Sequence, residues 1–289
     1  MIISLSGNPS VGKKVARLSK KSFQQITTDR FPDGELYLRF PKKVPRENLI
    51  FIQSFHGYIN DKFIETIFAA KSAKNGRKLT LIATYFPYLR QDKEFKPGEI
   101  VSNELSAELI SSVFDEIAIF DPHLHREKTL SHIFPIKAHK LTANSLIAEY
   151  IRKNIKNPFI IGPDWESYKW AEKVAEMINC PSAILRKKRI SSRKVNVYLT
   201  KKIDLKNKNV VIVDDMISTG HTLLEAIKDL KSIGAKKITC IAVHGIFVEN
   251  ALKKLRKAGA KVITTNTIPN STAKIDVSKL IVDHLKKRN

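Results

Sequence analysis

The sequence predicts an open α/β fold in two similar domains, each a mostly parallel sheet flanked by helices. Short apolar, β-branched runs alternate with longer segments of helical period. The alternation runs through the chain twice, with a break near "FPIKAHKLTAN" (134–144) and no Gly/Ser linker. The chemically loaded junctions fall just after the apolar runs, where ligands sit in such folds.

Taken in order, the runs "LIFIQS" (49–54), "LTLIATYF" (79–86), "IAIF" (117–120), "FII" (159–161), "VVIV" (210–213) and "ITCIAV" (238–243) predict buried parallel strands. Helices are expected over 61–75, 101–113 and 166–178; in the last, Trp170, Val174 and Ile178 recur every four residues. Gly76 and Gly234 follow helical stretches, where a left-handed cap is needed. The break divides the chain into expected domains 1–140 and 141–289.

At 289 residues and 43% hydrophobic content the chain can bury a full core, which excludes disorder. The opening apolar stretch is too short for a signal peptide and no later run approaches a membrane span, so a cytoplasmic location with no membrane partner is expected. Cys180 and Cys240 lie far apart and outside any zinc spacing, which fits reduced, buried thiols. The formal net charge of +23 calls for something anionic nearby. Its lysines and arginines are spread in pairs rather than gathered in one arm or helix, and no nucleic-acid-binding motif is present. A polyphosphate substrate or a lysine-rich solvated surface accounts for the charge better than nucleic acid does.

Four junctions carry the candidate chemistry: "PYLRQD" (87–92), "DPHLH" (121–125), "PDWES" (163–167) and Asp214-Asp215 with the turn that follows. In "MISTGHT" (216–222) the first-turn amides of the coming helix have no internal partners and bind phosphate well. Gly220 lets the backbone approach closely, and Ser218, Thr219 and Thr222 add hydroxyls. The two acids one step earlier can accept bonds from sugar hydroxyls, so one loop grips both ends of a sugar phosphate. The plainer alternative is a helix capped by Ser218 or Thr219.

Two competing patterns stay open. "GNPSVGKK" (7–14) nearly fits the phosphate loop of NTPases, but Lys14 replaces the metal-binding hydroxyl; the alternative is a strand-to-helix turn. In "DPHLH", His123 and His125 would share a face with Asp121, a pattern open to zinc, to magnesium or to a purely structural role. "FPDGELYLRF" (31–40) also reads as an Asp-Gly turn with an alternating strand.

"VVIVDDMISTGHT" (210–222) resembles the phosphoribosyl pyrophosphate loop of type I phosphoribosyltransferases. "RFPDGELYLRF" (30–40), "YFPYLRQDK" (85–93), "FDPHLH" (120–125), "GPD" (162–164), "LRKKR" (185–189) and "HGIF" (244–247) narrow the resemblance to the ribose-phosphate diphosphokinase family, in that family's order and over nearly the whole chain. The length and the "DPHLH" and "GPDWES" forms are most similar to its archaeal branch.

The resemblance implies two phosphoribosyltransferase-like domains and transfer of the diphosphoryl group of ATP to the C1 hydroxyl of ribose 5-phosphate. It implies that Asp214 and Asp215 hold ribose hydroxyls and that Ser218, Thr219, Gly220, His221 and Thr222 hold the 5-phosphate. It further implies that Phe31, Asp33, Gly34 and Glu35 are adenine-side residues reaching the ATP site of a neighbouring subunit in a homo-oligomer, and that Arg90, Gln91 and Asp92 contact ATP. His123 and Asp164 match the Mg²⁺ positions. Lys187 and Arg189 match a catalytic Lys-x-Arg pair, with Arg189 also on the ribose 5-phosphate side. They lie in the basic segment "RKKRISSRK" (186–194) between two strands, where alternation places them on one side. Such a loop, ordering with substrate, would exclude water.

The chain also departs from the family. "KPGEIVS" (96–102) stands where many members have R-x-P-I-S, which puts regulation by ADP or phosphate in doubt. Trp165 and Glu166 replace the small residues that usually follow Pro-Asp. A nucleobase phosphoribosyltransferase would share the 214–222 loop without needing "FPDGE" or "RQD", and a non-catalytic relative would have lost Lys187, Arg189, His123 or the acids.

Overall fold

The computed structural model describes residues 1–124, 129–191, 194–199, 205 and 208–288, and the side chains of 165, 166, 186–191 and 194–199 are outside that description. The chain forms two compact units: Met1–Thr142 with Thr267–Pro269 and Val277–Asn289, and Ala143–Asn266 with Asn270–Asp276.

The first unit begins with β1 (Ile2–Ser4), α1 (Pro9–Ser19) and β2 (Phe23–Gln25), followed by a hairpin of β3 (Thr27–Arg30) and β4 (Leu36–Arg39). It continues through β5 (Leu49–Ser54), α2 (Ile59–Ala73), β6 (Leu79–Tyr85), α3 (Ser102–Ser111), β7 (Glu116–Phe120) and β8 (Lys137–Leu141). Six strands form one sheet in the order β2-β1-β5-β6-β7-β8, with every neighbouring pair parallel. β6 and β7 are buried along their whole length, which is why they read as continuous apolar runs. Phe51, Phe55, Phe63, Phe86, Phe114 and Phe134 fill the core, with Phe55 and Phe63 ring centroids 4.8 Å apart.

Pro9 opens α1 at a position where its missing N–H is not needed. Gly12 lies inside that helix, where a Cβ would come 2.4 Å from Ser4 Oγ; a Cβ on Gly7 would come 2.1 Å from the Ser54 carbonyl oxygen. Both glycines serve close packing of the β1–α1 corner. A phosphate loop would need Pro9–Gly12 unwound, so the strand-to-helix turn is the correct reading of "GNPSVGKK".

The same corner surrounds a buried carboxylate. Glu65 of α2, 1% exposed, accepts from Ser6 N (2.8 Å), Ser6 Oγ (2.6 Å), Thr28 Oγ1 (2.8 Å) and Gln53 Nε2 (3.1 Å). It thereby joins α2 to the corner, the hairpin and the sheet.

The second unit starts with α4 (Asn144–Asn154), β9 (Pro158–Gly162), α5 (Trp165–Met177), β10 (Ser182–Ser191) and β11 (Lys194–Leu199). β12 (Asn209–Ile217), α6 (His221–Ser232), β13 (Lys237–Gly245), α7 (Ala251–Lys257), β14 (Ala260–Thr265) and β15 (Ala273–Ile275) follow. The seven-stranded sheet has the order β11-β10-β9-β12-β13-β14-β15 and is parallel except for the β10–β11 pair. Gly234 follows α6 at φ +97°, as a left-handed cap requires. Cys240 is fully buried, and burial pushes its thiol up to about 12; burial likewise raises Cys180 to about 11.

Three elements differ from the sequence expectation. The stretch 134–144 holds β8, an edge strand whose alternating polar residues hide it from a search for apolar runs. The basic segment 186–194 is not a loop between strands. Residues 186–191 belong to β10 and 194 opens β11, with Lys187 opposite Val197 and Arg189 opposite Val195. The final helix α8 (Ser278–Lys286) packs against α1, so the last residues belong to the first unit. There Arg288 bonds Glu116 and donates to Thr80 Oγ1 at 3.0 Å. The Thr267 carbonyl accepts from Ser54 Oγ (2.8 Å), Thr84 Oγ1 (2.7 Å) and Asn8 Nδ2 (3.2 Å), tying the returning chain to the sheet.

Candidate active site

The second unit gathers three carboxylates. Asp214 and Asp215 lie inside β12 rather than just beyond it, because the strand stays paired with β13 as far as Ile217 opposite Gly245. Their polarity is tolerated because bonds are supplied. Asp214 Oδ1 accepts from Ser167 Oγ (2.8 Å) and from the Asp215 amide (2.9 Å). Asp164 caps α5, its Oδ1 accepting the Ser167 amide at 2.8 Å. Asp214 is 9% exposed and Asp215 4%. Burial, with Asp215 beside it and Asp164 near, holds the Asp214 carboxyl well above the usual carboxylate range.

Beyond β12, half-buried Ser218 and Thr219 lead to Gly220, which begins α6 at φ +73°. A Cβ at Gly220 would meet the Ala251 Cβ at 3.3 Å, and any L side chain there would hold a strained backbone. Leu224 N reaches the Gly220 carbonyl at 2.9 Å, so the amides of His221, Thr222 and Leu223 precede the first helical bond. No side chain caps this end, and the first turn carries no acid. Ser218 or Thr219 capping is therefore not what the loop is for. A row of N–H groups at the positive end of a twelve-residue helix is suited to an anion. His221 and Thr222 are exposed on this turn.

The residues after β13 are also strained. In "HGIF" a Cβ on Gly245 would lie 2.6 Å from the Phe247 ring, and Phe247, Glu249 and Asn250 all have positive φ.

In the first unit the expected ATP-side residues occupy two segments attached to one helix. Residues 31–35 form the hairpin turn: Phe31 N donates to the Glu35 carbonyl (2.9 Å), Gly34 N to the Phe31 carbonyl (2.9 Å) and Glu35 N to Asp33 Oδ1 (3.2 Å). Gly34 has φ +98°. The turn presents Phe31, 49% exposed, edge-on to Tyr37 with centroids 5.8 Å apart. Arg30 pairs with Asp61 at the start of α2, and Tyr88, two residues before Arg90, bonds Asn60 of the same turn. Gln91 donates to Glu99 Oε2 (3.2 Å), and its carbonyl accepts the Asn103 amide (3.3 Å); Arg90 is exposed and Asp92 half-buried. Arg30 and Tyr88, which flank the two segments, thus both bond the first turn of α2, while Phe31 lies beside Phe68, Ala69 and Ser72 further along it.

His123 follows β7 and is half-buried, beyond Asp121, which is fully buried at φ +32°. His125 lies outside the described residues, as do the side chains of Lys187 and Arg189. Among the described residues, the group whose ligand atoms lie within 4.8 Å of one another is elsewhere: Glu116, His139 and His284. Glu116 Oε1 is already on His139 (2.7 Å), and Oε2 on Arg288 and Lys78, so this cluster clasps α8 to the sheet. Ser167 is the site residue that motif spacing missed. A serine three residues after a cap carries little signal until β12 is seen beside α5.

Two family models match the chain: the N-terminal domain of ribose phosphate pyrophosphokinase over residues 1–113, and the phosphoribosyl transferase domain over 130–279. The chain is similar to the ribose-phosphate pyrophosphokinase of Methanothermobacter thermautotrophicus, 36% identical over 291 residues that cover 99% of this chain and 100% of the relative. It is 34% identical to that of Pyrococcus furiosus over 268 residues, covering 92% and 94%. A solved structure, phosphoribosylpyrophosphate synthetase from Mycobacterium smegmatis, aligns with a TM-score of 0.85 and 26% identity over 100% of this chain and 98% of that one. Two parallel-sheet units, an acidic strand leading into an uncapped helix and full-length likeness to these proteins agree: the chain belongs to the ribose-phosphate pyrophosphokinase family.

Proposed function

We infer that the protein is a ribose-phosphate diphosphokinase, which transfers the β,γ-diphosphoryl group of ATP to the C1 hydroxyl of ribose 5-phosphate and releases AMP. The observation that carries this is the β12–α6 junction, two acids followed by open amides, in a chain matched end to end by proteins of that name. The 5-phosphate sits on the amides of 220–222 with the Ser218, Thr219 and Thr222 hydroxyls and His221 around it. Asp214 and Asp215 hold the ribose hydroxyls and so orient C1.

The C1 oxygen attacks the β-phosphorus, the bridge to the α-phosphate opens, and AMP leaves. Charge gathers on non-bridging oxygens, which Lys187 and Arg189, two residues apart on β10, neutralise. Mg²⁺ supplies further charge neutralisation on the phosphates. Asp164 would hold it, since its cap uses Oδ1 and leaves Oδ2 to an ion held mainly by phosphate oxygens, and in the first unit His123 would serve the same metal role.

Phe31 stacks on adenine, with Asp33, Gly34 and Glu35 shaping the turn and Arg90, Gln91 and Asp92 on the phosphate side. The hairpin serves the ATP site of a neighbouring copy. A homo-oligomer is supported by Ile64 and Phe68 of α2 and Leu105 and Leu109 of α3, large apolar side chains 42–56% exposed. Among the described residues no helix is long and apolar enough to cross a membrane. We assign the reaction to the cytoplasm, where ATP and sugar phosphates are present.

The test is single-turnover incubation with ATP, Mg²⁺ and ribose 5-phosphate, separating AMP from ADP, with Lys187→Ala in parallel. AMP that requires ribose 5-phosphate and falls at least 100-fold in rate in the variant is the expected result. ADP formation would replace this reading with a simple kinase.

A further inference from the structure

Ser167 has no chemical part in the reaction above, yet it bonds two of the three carboxylates of the candidate site, Asp164 and Asp214. It is the third residue of α5 and 6% exposed. Its amide goes to Asp164 Oδ1 and its hydroxyl to Asp214 Oδ1, each at 2.8 Å. The two bonds leave from different atoms. A change of side chain therefore removes the bond to Asp214 and keeps the helix cap.

The terminal torsion of an aspartate is broad and two-fold, so a carboxyl keeps one orientation only when neighbours fix it. Asp214 Oδ1 is fixed by two donors, the Ser167 hydroxyl and the Asp215 amide at 2.9 Å. The Asp215 side chain also bonds the Asp214 carboxyl, so its orientation is set from β12 and from α5 together. The Asp215 amide is part of the same strand and turns with it, whereas Ser167 stands on α5 and provides an external reference.

We propose that Ser167 is a positioning residue for ribose recognition, holding the Asp214 carboxyl in the orientation that meets a ribose hydroxyl. This rests on the ribose 5-phosphate reading of the β12–α6 loop. It adds a prediction that the loop alone does not make: ribose affinity and phosphate affinity separate. The phosphate is held by the amides and hydroxyls of 218–222, which Ser167 does not touch. The sugar is held by the acid that Ser167 orients.

Calorimetric titration of the full chain with ribose 5-phosphate and, separately, with inorganic phosphate tests this, comparing the natural protein with Ser167→Ala, Ser167→Cys and Ser167→Thr. The Ala variant loses the donor and Cys keeps the shape with a weak one; both should bind ribose 5-phosphate about tenfold more weakly with phosphate affinity unchanged, and both should have a lower thermal midpoint because the buried bond is lost. Thr keeps the hydroxyl and should recover most of the loss. Unchanged ribose 5-phosphate affinity in the Ala and Cys variants overturns the proposal, as does an equal loss for phosphate, which marks a general structural defect. If the natural protein binds phosphate but not ribose 5-phosphate, the proposal also falls. Tight, Ser167-dependent binding of ribose 5-phosphate without AMP formation upholds it and refutes the diphosphokinase reading instead.

Discussion

Gly220→Ala isolates the geometry of the phosphate loop. At φ +73° a non-glycine residue costs about 1–2 kcal/mol. The new methyl also lies 3.3 Å from the Ala251 Cβ and 3.6 Å from Leu255 Cδ1, so α7 must yield by a few tenths of an ångström. If the loop keeps its shape, the protein loses about that energy in stability. If it relaxes toward negative φ, the amides turn off the phosphate. The second course is expected, because no side-chain cap holds the loop. Since each 1.4 kcal/mol is tenfold, KM for ribose 5-phosphate should rise about 5- to 30-fold, with KM for ATP unchanged. Steady-state AMP release at saturating ATP measures this, and Gly220→Ala with Ala251→Gly removes the contact while keeping the backbone strain. Full recovery in the double variant would refute the argument from φ. A natural KM in the single variant would refute the assignment of the loop to phosphate.

Two further outcomes bear on the scaffold. Burial, then the charges of His139 and Arg288, lower His284 to about 4 against an unfolded value of 6.5, so the unfolded chain binds more protons between these limits. Its neutral form therefore contributes stability that is complete above about pH 6.5 and lost as pH falls toward 4. The ring is half-buried, which reduces the effect to about 1–2 kcal/mol; thermal midpoints from pH 4.5 to 7.5 should show it in the natural protein and a shallower slope in His284→Gln, and equal slopes would sink the idea. Glu65→Gln turns an amide NH₂ toward some of the four donors on the buried carboxylate, and should cost about 2–3 kcal/mol in denaturant titration, whereas an unchanged midpoint would show the network to be dispensable.

Burial decided how much of this was legible in the sequence. "LIFIQS" was read at its true limits, Leu49–Ser54, and "LTLIATYF" ran one residue past Tyr85, because strands covered on both faces spell continuous apolar runs. β8, "KAHKL", is half-exposed at the sheet edge and gives no such run. β1 and β15 have three residues each, too few for a period. In the site, Gly220 and the open helix end followed from local spacing. The acids were placed past the strand because polar side chains look like an ending. The Ser167 hydroxyl, forty-seven residues away in sequence, helps explain how the strand carries Asp214 inside. The basic segment was read as a loop because its charge looks solvated, although alternation was visible in it and residues 186–191 belong to β10.

The assignment of Val277–Asn289 to the first unit has a consequence for biosynthesis. Residues 1–142 emerge early, but the face of α1 that α8 covers, and the cationic partner of Glu116 on Arg288, arrive only after the second unit has been made. At about 5–20 residues per second of translation the nascent unit waits on the order of 10 s with Glu116 lacking its Arg288 partner. Most of the second unit is made in the meantime. The half of the chain made first is thus the half completed last, and a chain truncated before Val277 would hold a complete second unit tethered to an unfinished first.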